Sequence, residues 1–134
     1  MPTAASCSPS GPTTRRSRTG ARGWSREPDA GVAALQEGLA RAAALGLPAF
    51  VVGPPPANDE AQADRIVALS ARFAAACAGA GTPYVDVAAD LRRGGPWLAE
   101  ARAGDGAHPG AGGYGQLADR VRAPFLRWLR SATL

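Results

Sequence analysis

Apolar positions recur at helical spacing in three long stretches of the chain. Val32, Leu35, Leu39 and Ala42 or Ala43 fall three or four residues apart, so residues 29–45 predict a helix with one apolar face. Asp29 stands where an N-cap belongs, and Gly46 where the helix would stop. Ile66, Leu69, Phe73 and Ala76 or Cys77 repeat the stripe in a second helix over residues 60–78, capped by Asp59 and closed by Gly79 and Gly81. Leu117, Val121, Phe125 and Trp128 or Leu129 mark a final helix over residues 116–129, which Pro124 is expected to kink or divide.

Between the helices the pattern changes. Residues 49–52, Ala-Phe-Val-Val, are apolar on both faces, as a buried parallel strand requires. Gly53 and the triple proline Pro54, Pro55 and Pro56 stop it, because proline cannot continue a sheet ladder. Residues 84–87, Tyr-Val-Asp-Val, form a second short strand, with Asp86 as a cap or hydrogen-bonding group. Residues 90–95 read as a turn with Arg92 and Arg93 at a solvated corner, residues 97–103 as a short helix, and residues 110–113 as a flexible glycine connector. Alternation of helix and strand predicts an α/β fold with parallel strands. Two strands make a thin sheet with an unpaired edge, and self-association through that edge is one way to protect it.

Composition separates the first residues from the rest. A length of 134 residues suits one domain with a modest core. Residues 1–26 hold five arginines, no acid, and no Val, Ile, Leu or Phe. Such a segment cannot bury enough surface to offset its chain entropy, so a disordered leader is expected there and an ordered portion over residues 27–134. The leader lacks the apolar stretch of a secretory signal, and the Arg15-Arg16 pair lacks it too. The remainder carries ten arginines against eleven acids, so the formal charge of +4 belongs to the leader. A near-neutral body argues against a domain-wide nucleic-acid footprint. Nor does any apolar run approach the roughly 18 residues of a membrane span. Cys7 and Cys77 form no metal or disulfide pattern, and Cys77 falls on the apolar side of its helix, so a reduced cytoplasmic protein is expected.

The candidate chemistry lies in residues 104–109, Gly-Asp-Gly-Ala-His-Pro, which include the one histidine of the chain. Imidazole is the usual general base near neutrality, with an unperturbed pKa of about 6.5. A carboxylate bonded to one ring nitrogen fixes the tautomer and leaves the other nitrogen free to take a proton. Asp105, three positions before His108, is placed to do this across a glycine-rich turn. The alternative is that Asp105 caps the following helix while His108 is a solvated loop residue.

These residues resemble the last sequence block of the SGNH hydrolases, the GDSL esterases and lipases. There an Asp-x-x-His-Pro loop precedes a small-residue run, an aromatic residue and the C-terminal helix, here matched by Asp105, His108, Pro109, residues 110–113, Tyr114 and the helix from Gln116. Residues 48–56 resemble the penultimate strand and its loop, and residues 84–87 the last strand, so the likeness covers roughly residues 27–130. It implies a flavodoxin-like three-layer α/β/α fold of parallel strands, seen in part, with the N-terminal strands missing. It also implies His108 as general base and Asp105 as its orienting partner, an ester as substrate, and no metal or cofactor. The chain departs from the family in having no Gly-Asp-Ser and no Gly-x-Asn-Asp. Asn58-Asp59 follows three prolines and an alanine after Gly53, so its loop differs from that of the oxyanion block. Nucleophile and oxyanion donors are therefore unassigned; Ser25 and Ser70 are the serines to weigh, but neither sits on a strand-to-helix turn.

Three functions follow. The first is a serine esterase, truncated and inactive alone, as a shortened gene, a frameshift or a misplaced start would leave it. The second is a non-catalytic pseudoenzyme or binding module. The third, disfavoured by the neutral body, is an arginine-armed binder of anions or nucleic acid.

Overall fold

A computed structural model describes residues 28–132; the expected leader and Ser25 lie outside the described residues. The chain runs through α1 (Pro28–Ala44), β1 (Val51–Val52), α2 (Glu60–Gly79), β2 (Tyr84–Val85), α3 (Ala88–Arg92), α4 (Pro96–Ala103) and α5 (Ala111–Ala132). The fold is mixed α/β and mostly helical. Its strands are parallel, with Val51 opposite Tyr84 and Val52 opposite Val85.

Local chemistry explains most of the boundaries. α1 starts at Pro28, one residue before the expected cap, because proline's fixed φ suits a first helical position. Asp29 instead pairs with Arg72 and ties α1 to α2. Gly46 ends α1 at φ 67°, a left-handed conformation that lets Leu47 N–H reach back to Ala42 O at 2.9 Å. Asp59 caps α2 as expected, accepting from Gln62 N–H at 2.7 Å.

Five expectations are corrected. Both strands are shorter than the patterns implied: β1 pairs only where β2 lies beside it, at Val51 and Val52, and Asp86 leaves β2 to accept from Ala88 N–H at the start of α3. The expected turn at residues 90–95 overlaps a short helix, α3, whose Ala88 N–H donates to Asp86 Oδ1 at 3.1 Å. Arg92 and Arg93 are not merely solvated: they pair with Asp64 and Asp90. The glycines after Gly110 are not a connector, since α5 already begins at Ala111 and continues through Pro124. Just after that proline, Phe125 and Trp128 pack on Phe50 at ring separations of 5.5 and 5.4 Å, which seats the C-terminal part of the helix on the segment that leads into β1.

The core lies where α3 and α4 meet α5. Val87, Leu91 and Trp97 are buried there, with Val85, Leu98, Leu117 and Val121 packed around them. Complete burial of a side chain such as Leu91 is worth roughly 1.5–3 kcal/mol. Cys77 is fully buried, and that burial pushes its thiol pKa up, as a core cysteine rather than a nucleophile requires.

Candidate functional site

The loop between α4 and α5 is shaped by its own backbone. Gly106 takes φ 86°, which turns the chain back so that its N–H donates to Ala101 O at 2.8 Å. Asp105 closes the turn from within. Its Oδ1 accepts from Ala107 N–H at 2.9 Å and from His108 N–H at 2.7 Å. Its Oδ2 lies 2.6 Å from His108 Nδ1. A carboxylate can only accept, so Nδ1 carries the proton and the neutral ring leaves Nε2 with a free lone pair. These bonds, the His108 N–H first, then its ring and the Ala107 N–H, hold the Asp105 carboxyl well below the usual carboxylate range. Asp105 therefore does not cap the following helix, because its backbone partners precede α5; it joins the histidine to the turn.

Neighbouring segments fix the loop in space. Pro56, at the end of the proline run, is buried, and its carbonyl accepts from Trp97 Nε1 at 2.8 Å. Asn58 N–H donates to Gly106 O at 3.0 Å, and Asn58 Oδ1 accepts from Arg102 Nε at 3.0 Å. The loop after β1 thus stands beside the histidine loop, at the carboxyl end of the strands, where open parallel sheets place their ligands. Pro109 is buried against Gly113, and Gln116 links α5 to Trp97 N–H at 2.9 Å and to Gly94 O at 3.0 Å.

Ser70, in the middle of α2, has a different task. Ser70 is fully buried, 2.6 Å from the Tyr84 hydroxyl and donating to Asp86 Oδ1 at 2.9 Å. The cluster joins α2 to β2 beneath Gly53, where a Cβ would collide with the Tyr84 hydroxyl. Sequence pattern missed it because Ser70 lies on a different element from Tyr84 and Asp86 and each also reads as an ordinary helix or strand residue. Ser70 and Asp105 share no contact in the described residues. Nor do three His, Cys, Asp or Glu side chains gather as a metal site there.

A family model, the GDSL-like Lipase/Acylhydrolase family, matches residues 11–116. The match spans the proline loop and the Asp105–His108 loop and ends within α5, and it begins upstream of residue 27, inside the segment that composition set apart. No curated protein matches the chain.

Proposed function

The chain belongs to the GDSL-like lipase/acylhydrolase family, and from that premise we propose that it carries the acid–base half of an acyl-ester hydrolase site, with His108 as base and Asp105 as its partner. The observation that carries this reading is the 2.6 Å contact between Asp105 Oδ2 and His108 Nδ1, which leaves Nε2 to exchange protons at an exposed position. In such a site Nε2 takes the proton of the attacking hydroxyl and later delivers it to the leaving alkoxide. The Asp105 carboxylate stabilises the imidazolium formed between those steps.

The hydroxyl itself is not supplied by a Gly-Asp-Ser segment in these 134 residues. Ser70 does not substitute for it, since its hydroxyl is buried and already engaged with Tyr84 and Asp86. We therefore expect these residues alone to form no acyl-enzyme and to hydrolyse esters near the background rate. The same absence favours a second reading, a folded family member that binds an ester or acyl ligand without turning it over.

The test is hydrolysis of p-nitrophenyl acetate by the purified chain and by His108→Ala, with fluorophosphonate labelling in parallel. The proposal expects no burst, no labelled serine, and a small residual rate that falls to the buffer level in His108→Ala. Equal rates above buffer in both proteins would remove His108 from the chemistry. A labelled serine would place a nucleophile inside the chain. Equal inertness in two folded proteins would select the binding module.

A further inference from the structure

The Asp105–His108 contact is made in the open, with the two side chains 58% and 75% exposed. An exposed pair contributes little stability of its own. Its geometry must therefore be imposed by the backbone at both ends of the loop. At the leading end, Gly106 is fixed twice, by Ala101 O and by Asn58 N–H. At the trailing end, the chain passes from Pro109 through Gly110 alone into α5, so the loop is as rigid as the seating of that helix.

Glu100 provides the seating. It stands on α4, one turn before the loop, and its Oε2 accepts from Gly113 N–H at 2.8 Å. A carboxylate is favourable there because the first turn of a helix presents unpaired N–H groups and the positive end of the helix dipole. The glycines around it are shaped to this contact. A Cβ at Gly110 would lie 3.2 Å from Oε2, and one at Gly112 would collide with Oε1. The same α4 turn that provides Ala101 O for Gly106 thus also grips the start of α5, and the span between the loop's ends is set by one short helix.

We propose that Glu100 is a positioning residue for His108, holding the α5 N-terminus so that the loop presents the imidazole to Asp105. The inference rests on the reading of Asp105 and His108 as the acid–base pair. The competing account is that Glu100 merely caps α5 and leaves the pair unaffected.

His108 is the one histidine in the chain, so its ring resonances report the loop without ambiguity. The experiment follows those resonances by NMR through the acid range in wild type, Glu100→Ala, Glu100→Gln and Gly112→Ala, with circular dichroism to confirm that each stays folded. In wild type the Asp105 inflection falls below the ordinary aspartate value of about 3.9. Glu100→Ala is expected to raise it by about one unit or more. Glu100→Gln, which keeps an accepting oxygen, stays near wild type. Gly112→Ala, which pushes the carboxylate aside, behaves as Glu100→Ala and serves if that variant does not fold. A lower melting temperature with an unchanged titration would reduce Glu100 to a helix cap and overturn the proposal. A wild-type inflection already at the ordinary value would instead sink the underlying pair, and this inference with it.

Discussion

Asp105 gathers three hydrogen bonds from its own loop, and each favours its ionised form. Its pKa is lower in the folded chain than in the unfolded one, so the stability it lends is complete above the unfolded value and lost as pH falls toward the folded one. The melting temperature of wild type is therefore expected to exceed that of Asp105→Asn at neutral pH, and the gap to close below about pH 4. Thermal melts across that range check this; a gap that widens in acid would contradict it. Tyr84 has the opposite sign. Burial, the largest cause, raises its phenol pKa, so its contribution is complete below the unfolded value and fades as pH rises above about 10. Its hydroxyl fills the space over Gly53. Gly53→Ala is expected to cost about 1–3 kcal/mol in a denaturant titration through overpacking. Ser70→Ala is expected to cost about 1–3 kcal/mol as well, by leaving buried partners unpaired.

At the scale of elements, what the sequence made legible was what repeats or caps. The apolar stripes of α1, α2 and α5 follow a helical period that no neighbour needs to complete. Asp59 could be named as a cap because an N-cap depends on local backbone alone, and Asp59→Ala is expected to destabilise the fold by about 1 kcal/mol in urea unfolding. The illegible parts depended on distant partners. The glycines at residues 110–113 resemble a flexible linker until Glu100 and Pro109 are seen to occupy the space their side chains would take. Arg92 and Arg93 resembled a solvated corner because Asp64 lies a whole helix away and Asp90 belonged to a turn that folds as α3. Pro124 looked set to kink or divide the helix because its lost hydrogen bond is local, whereas the packing of Phe125 and Trp128 on Phe50 that seats the turn after it is not. The site divides in the same way. The contact of Asp105 with His108 was readable from a three-residue spacing, but the roles of Asn58, Arg102 and Glu100 around their loop were not.

The molecule as a whole joins a two-strand parallel sheet to five helices among the described residues, with the Asp105–His108 loop beside the proline loop that follows β1. The loop geometry gives one arrangement, an imidazole whose Nδ1–H is given to Asp105, and the proposed base role of His108 rests on its Nε2. No helix of the described residues is long and apolar enough to cross a membrane. The most direct measurement is the tautomer of His108, read from the ¹⁵N shifts and couplings of its ring above the pH at which it loses its second proton. The expected result is a single Nδ1–H form with Nε2 unprotonated in wild type, giving way to the Nε2–H form in Asp105→Asn. An Nε2–H ring in wild type, or one averaging freely between the two forms, would contradict the assignment of His108 as a base oriented by Asp105.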